Sequence, residues 1–165
     1  MYPKDNVIIA DAHEYLRKHF RNFEFIWASP PCPTHSVLQM TRFYSEKLKF
    51  PDMTLYQEII WLQKFYKGAW VIENVKPYYT PLIPPTFSIG RHYFWSSEKI
   101  DTSMFKEKTE YTKIRDNIRK MANMYCFDIN KLKIIDKRKA LRNCVHPEIG
   151  KYILNKIIEK RVIKI

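Results

Sequence analysis

Glycine is scarce: Gly68, Gly90 and Gly150 are the only three in 165 residues. No two are close, so the chain carries no glycine-rich turn of the kind that lets a backbone approach a cofactor. Cysteine is scarce too. Three residues without C-x-x-C spacing give neither a disulfide framework nor a zinc site, which implies a reducing, cytoplasmic setting and no metal. No apolar run reaches the roughly 18 residues of a membrane span, and the first residues lack a signal peptide's apolar centre; no membrane is expected. Acidic side chains number 17 against 29 Lys and Arg, a net charge of +12. That imbalance points to a polyanionic partner, since each neutralised phosphate releases counterions. Charge alone does not separate DNA from RNA. The length suits a single domain, 1–165, with a real core.

Aromatic residues are plentiful: eleven Tyr, ten Phe and four Trp offer flat faces for stacking extruded bases, although most are expected in the core. The stretch W-A-S-P-P-C-P-T-H-S, residues 27–36, organises the reading. The apolar run 23–28 predicts a short buried strand. Pro30 and Pro31 end it and stiffen the chain by fixing φ near −65°, so Cys32 is delivered on a rigid turn with Pro33 beyond it. A residue at the carboxyl end of a central strand lies where open α/β sheets bind ligands. A free cysteine there is often only a small hydrophobe. A second strand, Trp70 to Val75, adds weight because it carries Glu73, a carboxylate that an apolar run buries only with a partner or a task.

Ser29-Pro30-Pro31-Cys32 followed by Glu73-Asn74-Val75 resembles the C5-cytosine DNA methyltransferases, in which such motifs supply the nucleophile and the acid. Two weaker stretches fit the same order: residues 88–95, similar to the family's arginine-bearing strand motif, and residues 141–147, similar to its late Gly-Asn-x-Val motif with Arg142 in place of glycine. The resemblance covers roughly residues 5 to 160. It implies an α/β, Rossmann-like, S-adenosylmethionine-dependent methyltransferase fold with a mostly parallel sheet and helices on both faces. It implies catalytic roles for Cys32, Glu73 and Arg91. Asp11, Ala12, Pro30, Asn143 and Val145 would contact S-adenosylmethionine, and Pro31, Ser36, Asn74 and Arg42 the DNA. Cys32 would add to C6 of a flipped cytosine as the thiolate and Glu73 would balance charge at N3. Asn74 would hold the Glu73 loop, and Arg91 would fix the base or favour the thiolate. Ser29 or Ser36 as a hydrolase nucleophile lacks the surrounding G-x-S-x-G elbow. His35 reads as a loop residue.

Along the chain, Val7 to Ala10 predicts a strand, and Asp11 caps a helix with Ala12, Tyr15, Leu16, His19 and Phe20 at helical spacing. The basic stretch up to Asp52, with Arg42, Lys47 and Lys49, is read as a catalytic loop with some helix around residues 42–48. Asp52 caps a helix showing Leu55, Ile59, Leu62 and Tyr66 on one face, and Gly68 stops it. Prolines 77, 81, 84 and 85 make the next stretch an extended loop, under which Tyr78 and Tyr79 pack or line a base pocket. His92 to Ser97 predicts a fourth strand, with Arg91 at its start. An amphipathic helix is expected over residues 108–124, through Ile114, Ile118, Met121 and Tyr125. A final helix, residues 147–160, opens on proline and buries Ile149, Ile153 and Ile157.

In the family, a glycine-rich turn and an acidic strand precede the segment matching Asp5, and a large target-recognition domain precedes the late motif. Neither is found here. The expectation is a fold lacking its first βαβ unit, hence a truncated enzyme or one part of a split enzyme whose second polypeptide supplies the glycine loop. The alternative is a non-catalytic, basic nucleic-acid-binding remnant. A missing unit would also expose an apolar edge and face.

Overall fold

The computed structural model describes residues 7–44, 47–105, 118–125, 128 and 136–162. Two compact units divide the chain: Met1–Phe87 with His92–Lys99, and Ser88–Arg91 with Ile100–Ile165.

The first unit is built on a βαβ segment. Strand β1 (Phe25–Ala28) leads through the proline loop and helix α2 (Thr54–Phe65) into strand β2 (Ala69–Val75). The two strands pair in parallel, with Phe25 opposite Ala69 and Ala28 opposite Ile72. Helix α1 (Ala12–His19) precedes them; its N-cap Asp11 accepts the Glu14 backbone N–H at 2.9 Å, as its sequence position predicts. At α2 the cap is shifted. Met53 occupies the N-cap position, while Asp52, one residue earlier, accepts both the backbone N–H and the hydroxyl of Thr54.

Strands β3 (Phe87–Ile89) and β4 (His92–Ser96) form a hairpin through Gly90-Arg91, and Gly90 takes φ 56°, which glycine adopts without a Cβ penalty. The sheet order is β1-β2-β4-β3, and β2 pairs with β4 antiparallel. The sheet is therefore mixed, with one parallel pair, and the expected mostly parallel arrangement is corrected. An antiparallel hairpin on the edge of a parallel pair is common in α/β sheets. The expected strand at Val7–Ala10 is corrected too: these residues are not in a strand, and Ile9 is 98% exposed. Apolar residues favour a strand only where a neighbouring strand takes up their backbone groups.

Register assigns the faces. Ile26, Ala28, Trp70, Ile72, Tyr93 and Trp95 share one side of the sheet. They pack with Leu55, Tyr56, Ile59 and Leu62 of α2 and with Phe20 and Tyr66, each large side chain contributing about 1.5–3 kcal/mol by leaving water. The opposite side carries Val71, Glu73, His92 and Phe94, with Phe87 stacked on Phe94 at 5.1 Å and Trp27 edge-on to it.

In the second unit, helices α3 (Ile118–Met124) and α4 (Lys137–Arg142) bury Met121, Ala122, Tyr125 and Leu141 together. Residues 108–117 of the expected helix, Ile114 included, lie outside the described residues. Helix α5 (Pro147–Val162) starts at its proline and buries Ile149, Ile153 and Ile157 as the spacing predicts. Among the described residues no helix is long and apolar enough to cross a membrane.

Helix α2 ends at Phe65 with Tyr66 as its C-cap, three residues before the glycine expected to stop it. Gly68 has a different task. The buried Tyr66 ring lies against it, its hydroxyl donating to the Phe23 carbonyl at 2.6 Å, and a Cβ at position 68 would overlap that ring. Gly68→Ala is expected to lower the unfolding free energy by about 1–3 kcal/mol, the usual cost of overpacking. Denaturant unfolding checks this, and an unchanged midpoint would mean that the ring relocates without cost.

Candidate active site at the carboxyl ends of the parallel strands

Because β1 and β2 run parallel, the segments leaving their carboxyl ends emerge at the same edge of the sheet. The Pro-Pro-Cys loop starts at the end of β1, and the Glu-Asn-Val motif forms the last residues of β2. Asn74 joins them. Its side-chain amide donates to the Pro30 carbonyl at 3.1 Å, and its oxygen accepts the Val75 backbone N–H at 2.9 Å. Asn74 is almost wholly buried, so this bond is shielded from competing water. The residue expected to hold the Glu73 loop thus grips the loop bearing Cys32.

Cys32 sits on a turn: its carbonyl accepts the backbone N–H groups of His35 and Ser36 at 3.0 and 3.1 Å. The thiol-bearing residue is half-buried and reduced. Ser36 then caps a short 3-10 helix, Val37–Arg42, through its hydroxyl; of the helix expected around residues 42–48, residues 43–44 and 47–48 are not helical and residues 45–46 lie outside the described residues. Further bonds tie the turn to the segment after β2. Ser36 bridges to Pro77, the Tyr78 N–H donates to the His35 carbonyl, and the Gln39 amide donates to the Pro33 carbonyl at 2.7 Å.

A buried polar chain runs beneath. The Leu82 N–H donates to the Tyr56 hydroxyl, Tyr56 donates to the Tyr79 hydroxyl, and Tyr79 lies 2.6 Å from Nδ1 of His35. Burial raises the Tyr79 pKa, so its hydroxyl stays protonated. His35 lies in the turn, a loop residue as expected, and is buried there, only 1% exposed. Burial pushes its pKa below 6.5, with Asp52 pulling weakly the other way.

Glu73 lies on the other side of β2 from Asn74, as strand alternation requires. It is buried, and its Oε1 is 3.5 Å from Nε2 of His92 on β4. Sequence reasoning treated His92 only as a strand residue. The pairing follows from β2–β4 register, in which Val75 faces His92 and Glu73 faces Phe94, and no sequence pattern carries that register.

A cavity of about 750 Å³ lies on the amino-terminal side of the proline loop, between α1, β1 and the start of α2. Its wall brings together Asp11, Ala12, Pro30 and Pro31 from the expected site, and adds His13, Asp52 and Glu58. Cys32 and Glu73 are not on that wall. Sequence analysis missed His13 and Glu58, although Glu58 interrupts the apolar face of α2 three residues after Leu55, a detectable signal. Arg42 is exposed at the end of the 3-10 helix. Arg91 is an exposed turn residue ahead of β4; it belongs to the second unit, as do Asn143, the exposed C-cap of α4, and the half-buried Val145. Among the described residues no group of His, Cys, Asp or Glu is placed to hold a metal ion.

The lowered His35 pKa sets a direction for acid sensitivity. Its folded value lies below its unfolded value of about 6.5, so its contribution is present above 6.5 and lost as pH falls through the folded value. Thermal unfolding from pH 7.5 down to 5 is expected to show a falling midpoint. His35→Gln is expected to flatten that fall, and an unchanged slope in the variant would assign the sensitivity elsewhere.

No family model, no curated protein and no solved structure matches the chain.

Proposed function

We propose that the chain is the catalytic part of a C5-cytosine DNA methyltransferase. The observation that carries this reading is the Asn74–Pro30 bond, which holds the end of the Glu-Asn-Val strand against the loop bearing Cys32. Two motifs far apart in sequence thus meet at one sheet edge, where α/β folds bind ligands. The exposed stretch after Cys32 supports DNA as the partner. Phe43, Tyr44 and Phe50 stand largely in solvent alongside Arg42, Lys47 and Lys49, a combination suited to phosphates and unstacked bases. The net charge of +12 agrees with it.

In this mechanism the target cytosine leaves the helix and enters the site. The Cys32 thiolate adds to C6, forming the S–C6 bond and pushing the C5–C6 π electrons towards C5 and N3. Glu73 delivers a proton to N3, so that charge does not accumulate on the ring. His92 beside the Glu73 carboxylate orients it. After C5 is methylated, the C5 proton passes to a solvent water, its electron pair restores the C5–C6 double bond, and the Cys32 thiolate departs. Glu73 recovers its proton from N3.

S-adenosylmethionine, when bound, supplies the methyl group. The cavity beside Pro30 fits such a molecule in its volume, its ring-rich wall and its carboxylates. Asp11, Ala12 and Pro30 would hold the group there.

Attack at C6 labilises the C5 hydrogen even without a methyl donor, so the chain alone is expected to release tritium from DNA labelled at cytosine C5. Cys32→Ala should abolish release, and Glu73→Gln should slow it by about 10²–10⁴-fold. Release that is unaffected by Cys32→Ala, or none from the wild type with bound DNA, would refute the mechanism.

A further inference from the structure

The cavity beside Pro30 has an electrostatic character opposite to that of the chain. Among the described residues no Lys or Arg lines it, whereas Asp11, Asp52 and Glu58 all do. Two of these carboxylates have local duties, since Asp11 accepts the Glu14 N–H and Asp52 accepts both donors of Thr54. Glu58 is different. Only 7% exposed, it shares Oε1 with Nδ1 of His13 at 3.2 Å, and its Oε2 is buried with no hydrogen-bond partner. A buried carboxylate oxygen left unpaired costs on the order of 1–3 kcal/mol or more, and such atoms in native proteins call for an explanation. Burial also pushes the Glu58 carboxyl above its ordinary pKa, with His13 drawing it back.

We propose that Glu58 is a ligand-recognition carboxylate: its Oε2 accepts a hydroxyl or amine hydrogen from a nucleoside in this cavity, and the acidic wall rejects the phosphorylated forms of that nucleoside. The inference deepens the methyl-donor reading of the cavity and rests on it. A phosphate placed here would meet the negative charges of Asp11, Asp52 and Glu58, with no Lys or Arg among the described wall residues to balance them, whereas a neutral nucleoside or a cationic derivative would not be opposed. The volume suits a nucleoside-sized molecule, and Tyr15, Phe23, Phe25 and Trp27 supply ring faces for a base. His13 positions the carboxylate by holding its other oxygen. The same charge pattern keeps a nucleic-acid backbone, drawn to the basic surface elsewhere, out of the small-molecule site.

Titration calorimetry on the full chain tests this with adenosine, S-adenosylhomocysteine, AMP and ATP. The two phosphate-free probes are expected to bind, with AMP at least about 10-fold weaker than adenosine and ATP weaker again. Glu58→Gln, with folding checked by circular dichroism, is expected to weaken adenosine about 10-fold and to narrow its margin over AMP. His13→Ala, at a side chain 35% exposed, removes the Oε1 partner without opening the core, and should weaken adenosine several-fold even if the Glu58 variant does not fold. AMP binding as tightly as adenosine, no binding of any probe at millimolar concentration, or unchanged adenosine affinity in a folded variant would each overturn the proposal. Tritium release from cytosine C5 separates the two readings. Release without selective nucleoside binding sinks this inference alone; selective binding without release sustains it and sinks the methyltransferase mechanism.

Discussion

A single hydrogen bond, from the Asn74 amide to the Pro30 carbonyl, makes the rest of the site intelligible. A parallel strand pair delivers two loops to one edge but leaves their mutual position open. Pro30 and Pro31 lack backbone N–H groups, so their loop cannot anchor itself through its own donors. It depends on donors from elsewhere. Asn74 supplies one at Pro30 and Gln39 another at Pro33, while His35 and Ser36 close the turn on the Cys32 carbonyl. The thiol of the proposed nucleophile is therefore carried on a loop whose carbonyls are gripped in succession.

Beneath that loop, polar groups rather than hydrocarbon make the connection. His35, Tyr79 and Tyr56 form a chain of hydrogen bonds that ends on the backbone of Leu82. Such networks specify one geometry more sharply than apolar packing does, because each misplaced member leaves a buried donor or acceptor unpaired. The arrangement joins the turn after β1 to the proline-rich stretch after β2. It also makes the site sensitive to the protonation of one imidazole.

Charge is partitioned within the first unit. The stretch following Cys32 displays arginine, lysines and exposed aromatic rings, while the cavity lined by Pro30 and Pro31 holds three carboxylates and, among the described residues, no Lys or Arg. In the proposed reaction these two regions have different work, one meeting a polyanion and the other a small methyl donor.

Much was legible in residue order alone. The strands holding the Pro-Cys and Glu-Asn-Val motifs, the Asp11 cap and the buried face of α5 follow from periodicity, capping chemistry and proline, which act over a few neighbouring residues. The hairpin turn at Gly90 was also readable in principle, from a glycine between two apolar runs. What the chain order could not express were relations across the sheet. The antiparallel placement of β4 against β2 brings His92 to Glu73, the fold brings His13 of α1 to Glu58 of α2, and no strand among the described residues pairs with Val7 to Ile9, which stay exposed. Local preferences constrain each segment by itself. Register, pairing and the company of a buried carboxylate depend on which distant segment becomes a neighbour, and only the folded chain decides that.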